Sequence, residues 1–273
     1  MITRRKRANF TREHLLFLRK QTTRKVLVHV AQVGVLVLFL GLWELAAYLE
    51  WIDAFIMSSP SRVWKTLCQL LANGTLLHHA WVSTWETVVG FAIGTALGYA
   101  VAIVLWWNNF LKEVFEPYVV VLNSLPKIAL GPIIIIWAGT GKAAIITMAV
   151  LISVVITTIT VLNGFLETDK DKILLLRSLK ANRLQIFTKL VAPSNVPTLM
   201  ATLKINVGMA WIGTIMGEYL VSKEGLGYMI VVNGSQVFNL SLVMTCTIVL
   251  CALAGVMYAL VAILEKIVVK NYK

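Results

Sequence analysis

Long, uninterrupted runs of apolar residues fill most of this sequence. A helix rises about 1.5 Å per residue, so about 20 apolar residues cross the hydrocarbon core of a bilayer, which is about 30 Å thick. Helices are expected rather than strands, because lipid cannot hydrogen-bond the backbone and the runs lack the alternation of barrel strands. We therefore predict an all-α polytopic membrane protein with about six transmembrane helices. The spans are expected near Val26 to Tyr48, Trp85 to Trp107, Val114 to Trp137, Ala143 to Leu162, Leu199 to Leu220 and Leu240 to Leu264.

The composition agrees with this fold class. Hydrophobic residues make up 58% of the 273 residues, and charged residues make up only 14%. A soluble domain of this length could not bury so much apolar surface. We therefore expect one transmembrane domain over residues 26–266, between a basic segment at residues 1–25 and a tail at residues 267–273.

Basic residues are concentrated near the chain ends and between the fourth and fifth predicted spans. The first 25 residues contain nine Lys and Arg residues against the single acid Glu13. The positive-inside rule therefore predicts a cytosolic N-terminus, and six crossings return the C-terminus to the cytosol. We attribute the net charge of +12 to this topology and to contact with anionic membrane lipid. Nucleic-acid binding is not expected, because it would need a soluble basic surface.

The sequence contains no pattern typical of a catalytic, metal-binding or nucleotide-binding site. The three cysteines form no CxxC or Cys/His cluster. Gly139-Thr-Gly-Lys142 looks like the end of a phosphate loop, but Ile136 replaces its first glycine and Ala143 replaces its Ser or Thr. We therefore expect that the chain is not an enzyme and binds no metal or cofactor. Its energy source would be another subunit or an ion gradient.

Glycines spaced four residues apart occur in two predicted spans. The second span contains Gly90, Gly94 and Gly98, and the fifth contains Gly213 and Gly217. Small residues at this spacing allow another helix backbone to approach closely. We predict that these glycines are helix-packing positions in a compact bundle.

Two ionisable residues in the predicted spans are candidates for a translocation path. Lys127 lies in the third apolar run, where a charge at mid-bilayer costs about 2.5 to 3.5 kcal/mol. It follows Pro126 and precedes Gly131-Pro132, a pattern typical of the broken helices that line cavities. Alternatively, Lys127 extends toward the cytosolic interface. Glu218 lies near the outer end of the fifth span, where it either caps or gates the path or is simply solvated.

The segment between the fourth and fifth spans, residues 163–197, mixes apolar and basic residues. Arg177, Lys180 and Arg183 are three residues apart and would form one cluster on a continuous helix. Two prolines then redirect the chain before the fifth span. An amphipathic segment held in this way can transmit force to the helices on both sides of it. A solvated basic loop is the alternative.

This segment resembles the coupling loop of binding-protein-dependent importer permeases. The loop pattern is EAA, three residues, Gly, and a Pro thirteen residues later, and the corresponding residues here are Leu174-Leu175-Leu176, Lys180 and Pro193. Similar stretches are Leu125 to Pro132 with Ile136-Trp137, Leu203-Lys204-Ile205 with Gly208 to Trp211, Glu218, and Gly225 to Ile230. From about Ser59 to Glu265, the chain resembles the nitrate/sulfonate/taurine-type permeases of bacterial ABC importers. That group includes importers of thiamine-precursor pyrimidines.

The resemblance implies a type I ABC importer permease-like bundle in the bacterial inner membrane. Two permease copies, expected to form a homodimer, would line the path, and an extracytoplasmic binding protein would deliver the substrate. A cytosolic ATPase dimer would bind ATP and Mg and grip the coupling loops. The substrate would be a small solute, either a nitrate/sulfonate/taurine-like anion or a thiamine-precursor-like pyrimidine. The residues expected to couple to the ATPase are Leu176, Arg177, Ser178, Leu179, Lys180, Ala181, Arg183, Phe187 and Pro193.

Two departures from the loop pattern bear on this coupling. Three leucines replace the EAA residues, and Lys180 replaces the glycine of the tight turn. If the backbone there has a positive φ, a non-glycine residue costs about 1 kcal/mol. The bend is therefore either strained or rebuilt, for example around Asn182. The ATPase partner is either adapted to this change or no longer coupled.

Two other classes of protein are alternatives to the importer permease. An ion-gradient-driven carrier or channel would usually have internal repeats or several buried charges, which are sparse here. A membrane-embedded enzyme would need His and acidic residues that converge within the spans. Co-purification with a separate ATPase would distinguish the permease from a carrier.

Overall fold

The computed structural model describes residues 12–52 and 57–270, and all regular secondary structure in these residues is helical. In chain order the helices are α1 (Arg12–Tyr48), α2 (Pro60–Ala72), α3 (Thr75–Trp107), α4 (Asn109–Ser124), α5 (Gly131–Ala138), α6 (Lys142–Leu166), α7 (Lys170–Ser178), α8 (Arg183–Ile186), α9 (Val196–Val221) and α10 (Leu240–Lys270). Shorter elements are a 3-10 turn at Lys127–Leu130, π-helical turns at Phe187–Val191 and Met229–Ser235, and helical turns at Ala192–Ser194 and Leu226–Tyr228.

The described residues fall into two units, one ending at Trp64 and one starting at Lys65. The first unit contains α1, whose apolar part Val26–Tyr48 is exposed along most of its length. Near its end, the Glu44 carboxylate accepts hydrogen bonds from the backbone N–H of Ser61, at 3.0 Å, and from its hydroxyl, at 2.8 Å. The predicted basic segment and tail are described only from Arg12 and only as far as Lys270.

Five helices of the described residues are long and apolar enough to cross a membrane: Val26–Tyr48 within α1, and α3, α6, α9 and α10. They correspond to five of the six predicted spans. The remaining prediction, a span from Val114 to Trp137, is wrong as a single helix. α4 ends at Ser124, and Leu125 is extended with ψ 137° because the following proline disfavours the helical conformation. The chain then forms the 3-10 turn and restarts as α5, so it is broken as the prolines predicted.

The core of the second unit is the contact of α6 with α3 and α9. A Cβ atom added at Gly90 or Gly98 would lie 2.5 Å from the Cβ of Ala149 or Thr157 on α6, respectively. Only glycine therefore allows the α3 and α6 backbones to lie this close. The other predicted packing glycines lie at the same α6 surface: Gly94 faces Ser153, Gly213 faces Ala149 and Gly217 faces Ile145.

Buried hydrogen bonds also join these three helices. Thr87 of α3 donates to Thr214 of α9 at 3.0 Å. The Asn206 side chain on α9 donates to Thr95 of α3 and to Thr157 of α6. Such polar bonds inside an apolar bundle fix the register of the helices, because the same groups would lack partners in lipid. The three helices thus form one scaffold that positions the segments at both of its ends.

Candidate functional site

The coupling segment, residues 163–197, connects α6 to α9 through two short helices and a tight turn. α7 begins after Asp169, whose carboxylate accepts hydrogen bonds from the backbone N–H groups of Asp171, at 3.0 Å, and Lys172, at 3.4 Å. These two N–H groups favour the ionised carboxylate and lower the pKa of Asp169 from its usual value. The first helix of the coupling segment therefore has a charged N-cap.

A tight turn ends α7 at the position where the loop pattern has glycine. The Ala181 N–H donates to the Leu176 carbonyl at 3.0 Å, and the Lys180 N–H donates to the Arg177 carbonyl at 2.9 Å. This pair of bonds defines a Schellman motif, in which one residue adopts the left-handed conformation. That residue is Lys180, with φ 59°. The turn therefore keeps its left-handed backbone although it lacks the glycine.

The residues after the turn start a second helix. The Asn182 side chain accepts a hydrogen bond from the Gln185 N–H at 2.8 Å, and the Gln185 side chain accepts one from the Asn182 N–H at 2.9 Å. This capping box starts α8. α8 continues through the π-helical turn Phe187–Val191, just before Pro193, whose missing N–H would interrupt a regular helix.

The helix across the coupling segment is thus interrupted at the turn, and the row of basic residues expected on a continuous helix does not form. Arg177 and Arg183 are instead brought to a common cleft of about 140 Å³, whose lining also includes Trp106 and Asn109. Lys180 is exposed on the turn and does not line this cleft. Two guanidinium groups at one cleft favour the binding of an acidic partner group.

Arg183 joins α8 to the end of α3. Its Nη1 atom donates a hydrogen bond of 2.7 Å to the backbone carbonyl of Trp107, the last residue of α3. The last carbonyls of a helix have no partner within the helix, and a cation at this end also interacts favourably with the helix dipole. Arg183 therefore anchors the coupling segment to a predicted membrane span.

An aromatic cluster also holds the coupling segment against the membrane helices. The Phe187 ring centroid lies 5.2 Å from that of Trp106 and 5.5 Å from that of Phe165, and these two residues belong to α3 and α6. Ile186 and Val191 are buried in the same core. The second half of the coupling segment is therefore packed against both α3 and α6 and cannot shift without displacing them.

The opposite surface of the segment exposes large apolar side chains. These exposed leucines, Leu174, Leu175, Leu179 and Leu184, are each between 57% and 71% exposed. Of the residues predicted to couple to the ATPase, Arg177, Ser178, Leu179, Lys180 and Arg183 are exposed, whereas Leu176, Ala181, Phe187 and Pro193 are partly buried. Exposed apolar groups beside basic residues are typical of a protein-binding surface.

The two residues predicted for the translocation path lie in different structural environments. Lys127 starts the 3-10 turn between α4 and α5, and its side chain lies outside the described part of the structure. Glu218 is 1% exposed, so it is not solvated within this chain. Its Oε2 atom accepts a hydrogen bond of 2.6 Å from the Gly227 N–H.

That bond belongs to a set of three that hold the outer turn, defined as residues 225–227. The Gly225 N–H donates to Nδ1 of His79 at 2.9 Å, and the Leu226 N–H donates to the Ser83 hydroxyl at 2.8 Å. The first N–H groups of a helix have no partner within it. Here α3 and α9 supply those partners, and the helical turn at Leu226–Tyr228 is thereby attached to both spans.

The α3 side of this cluster was not predicted from the sequence. His79, Ser83 and Glu86 recur at a spacing of four and three residues, which places them on one helix face. This periodicity is the signal in the sequence that indicates a shared polar face on α3. Among the described residues, no group of three or more His, Cys, Asp or Glu side chains is placed to hold a metal ion.

Solved structures with a similar fold are ABC transporters. The chain matches an inward-facing MetNI methionine ABC transporter with a TM-score of 0.63 and 21% identity, over 71% of this chain and 96% of that one. It matches a bacterial ABC transporter involved in the import of the acidic polysaccharide alginate with a TM-score of 0.61 and 12% identity, over 91% and 98%. Identities this low establish the shared fold alone.

Relatives with similar sequences are named as transport permeases. The chain is 26% identical over 232 residues to the putative aliphatic sulfonates transport permease protein SsuC of Escherichia coli, covering 85% of this chain and 88% of the relative. It is 30% identical over 200 residues to a probable ABC transporter permease protein of Haemophilus influenzae, covering 73% and 79%. It is 27% identical over 187 residues to the formylaminopyrimidine transport permease protein ThiX of Halalkalibacterium halodurans, covering 68% and 74%. A profile of the family described as binding-protein-dependent transport system inner membrane component matches residues 94–272. The chain therefore belongs to the binding-protein-dependent transport system inner membrane components.

Proposed function

We propose that this chain is the permease subunit of an ABC importer and that its coupling segment docks on a separate cytosolic ATPase. The observation that carries this proposal is the two-sided structure of that segment. One side is fixed to α3 and α6 through Arg183 and Phe187, and the other exposes leucines beside basic side chains. A partner that moved the exposed side would therefore move the membrane helices.

The family and the charge distribution support the following assembly. The basic N-terminal residues favour a cytosolic location for both chain ends, and with them for the coupling segment, in a bacterial inner membrane, with α4 and α5 together making the sixth crossing. Two copies of the chain, as a homodimer, would line the path, and an extracytoplasmic binding protein would supply substrate on the opposite side. ATP and Mg would bind to the ATPase dimer, so hydrolysis would take place on the partner subunits.

The physical basis of coupling is the short route from the docking surface to the spans. The cleft with Arg177 and Arg183 can accept an acidic residue of the ATPase, while the exposed leucines supply apolar contact. Closure of the ATPase dimer would then press on α7. The turn at Lys180 and the helix α8 transmit that movement to Arg183 and Phe187, and so to the ends of α3 and α6.

The substrate class that we propose is a small solute of the kind transported by the relatives. SsuC is named for aliphatic sulfonates and ThiX for formylaminopyrimidine. A sulfonate-like anion and a thiamine-precursor-like pyrimidine are therefore the first ligands to test. Lys127 lies at the break between α4 and α5 and is the candidate cation for the anion.

A substitution of one exposed leucine tests the docking surface. Leu179→Glu introduces a charge at a side chain that is 71% exposed, so the fold tolerates it, but the charge would be buried in an apolar interface. We expect the ATPase to co-purify with the wild type and to be lost from this variant. A tenfold loss of affinity corresponds to about 1.4 kcal/mol.

The matched control is Val237→Glu. Val237 is 68% exposed, and it lies between α9 and α10, at the end of these helices that is remote from the coupling segment. The control should retain the ATPase as the wild type does. Equal retention by both variants would contradict the assignment of the docking surface. Substrate uptake that follows an ion gradient and needs no ATPase would contradict the permease function itself.

A further inference from the structure

The buried acid Glu86 takes no part in the coupling segment or in the three hydrogen bonds that hold the outer turn. It lies one turn after Ser83 on α3, and it is 1% exposed. Neither of its carboxyl oxygens has a hydrogen-bond partner among the described residues, and the Oε1 atom of Glu218 also lacks one. The two carboxyl groups are close enough to interact with each other. The Ser83 hydroxyl also interacts with Glu218, yet three carboxyl oxygens at this buried place, both of Glu86 and Oε1 of Glu218, remain without a hydrogen-bond partner among the described residues.

Two buried acids that face each other cannot both be ionised at an acceptable cost. An unpaired charge in an apolar interior costs several kcal/mol, and two like charges in contact add their repulsion. Most buried polar groups in proteins are hydrogen-bonded, so an acidic pair without a donor needs an explanation. A single proton between the two groups removes one charge and supplies the missing donor.

We infer that Glu86 and Glu218 form a proton-binding site in which one proton bridges the two carboxyl groups. Glu86 carries the proton and donates it in a hydrogen bond to Oε1 of Glu218. Glu218 stays ionised, and its Oε2 atom accepts the Gly227 N–H at 2.6 Å. The bridge links α3 to α9 directly beneath the outer turn, so the bound proton helps to hold that turn against both spans.

The other ionisable groups around the site do not replace the proton. Lys142 is the cation that acts on Glu86, but its Nζ atom lies 3.9 Å from the carboxylate of Glu224 and is largely exposed. His79 accepts the Gly225 N–H through Nδ1, so that nitrogen carries no proton to donate. Tyr219 also interacts with Glu218, but the Oε1 atom of Glu218 still has no hydrogen-bond partner.

Infrared spectroscopy of the purified full-length chain at neutral pH tests the site without any partner subunit. A protonated carboxyl group gives a carbonyl stretching band that an ionised one does not, and the band shifts when H₂O is replaced by D₂O. We expect this band in the wild type and its loss in Glu86→Gln. The matched control is Glu265→Gln, because Glu265 is ion-paired with Lys204 at 2.7 Å and should contribute no such band.

Identical carbonyl regions for the wild type and Glu86→Gln would overturn the proposal. The glutamine amide can donate the same hydrogen bond to Glu218, so this variant should fold. Its failure to fold, while Glu265→Gln folds, would also count against the shared proton.

The pH dependence of stability gives a second readout. If the folded chain holds a proton that the unfolded chain releases at neutral pH, stability falls as the pH rises. The wild type should therefore lose more thermal stability than Glu86→Gln as the pH rises from the range of an ordinary carboxyl group through neutrality. His79, Tyr219, Lys142 and Glu224 are present in both proteins, so their titration does not contribute to the difference. If thermal stability changed with pH in the same way for the wild type and Glu86→Gln, that result would contradict the proton-binding site.

Discussion

Replacing Lys180 by glycine should stabilise the protein, because the turn after α7 holds a lysine in a glycine conformation. Lys180 has φ 59°, and its exposed side chain has no hydrogen bond or ion pair recorded among the described residues. The left-handed conformation costs a non-glycine residue about 1 kcal/mol, and removal of this side chain loses no contact. We therefore expect Lys180→Gly to gain about 1 kcal/mol, or about 2 °C in Tm for a chain of this size.

The assay uses the buried thiol of Cys246 to report unfolding. In a background with Cys68→Ser and Cys251→Ser, which removes the two exposed thiols, a thiol-reactive dye labels Cys246 only when the bundle opens. Lys180→Ala is the first control and should match the wild type, because alanine keeps the Cβ atom that causes the strain. Lys189→Gly, in the helical part after α8, is the second control and should lose about 0.5 to 1 kcal/mol. A Lys180→Gly variant that is no more stable than Lys180→Ala would show that the left-handed backbone at residue 180 does not strain the protein.

Three further predictions concern coupling, packing and pH. Arg183→Ala removes the bond to the Trp107 carbonyl and one of the two guanidinium groups of the cleft, so it should weaken ATPase binding and also lower substrate uptake per ATP hydrolysed several-fold in proteoliposomes. Arg183→Lys should restore part of the uptake per ATP, and an uptake-to-hydrolysis ratio unchanged by Arg183→Ala would contradict the link to α3. Gly98→Val would place its Cβ atom 2.5 Å from the Cβ of Thr157, which is closer than van der Waals contact allows, so it should lower the free energy of unfolding by about 1 to 3 kcal/mol or abolish folding. Gly255→Ala, which has open space around it, should be tolerated in the same thermal assay. The pKa of Asp169 is lower in the folded chain, so the stability that this carboxylate contributes is present above its pKa in the unfolded chain and is lost as the pH falls through its pKa in the folded chain. Asp169→Asn should therefore lose less stability at acidic pH in thermal unfolding, and a pH profile identical to that of the wild type would contradict this role of Asp169.

The membrane helices could be predicted from the sequence because composition and run length alone decide them. The break in the third predicted span was also visible, since Pro126 and Pro132 cannot continue a helix. The start of α3 at Thr75 could not be predicted in the same way, because the residues before Trp85, which include the polar pair His78 and His79, lie outside the continuous apolar run. In the structure, His79 is inside the helix and accepts a bond from Gly225, a residue 146 positions away. That contact depends on tertiary structure, and local sequence does not encode it.

The same limit applies to the candidate site. The spacing of Lys180 and Pro193 located the coupling segment, and the bend there could be expected from the loop pattern. The bond from Arg183 to Trp107 joins residues 76 positions apart and is fixed only when α3 and α8 meet. Glu86 was missed for a related reason: one acid in an apolar span carries no pattern by itself, and its significance depends on Glu218 from another helix.

Proteoliposomes that contain the full-length chain, its ATPase and its binding protein provide the decisive test of coupling between the chain and ATP hydrolysis. The paired readouts are ATP hydrolysis and uptake of a sulfonate or a thiamine-precursor pyrimidine, with and without the chain. We expect loaded binding protein to stimulate hydrolysis only when the chain is present, and Leu179→Glu to abolish both the stimulation and the uptake. Hydrolysis that is the same with and without the chain, or uptake that persists in Leu179→Glu, would contradict this coupling.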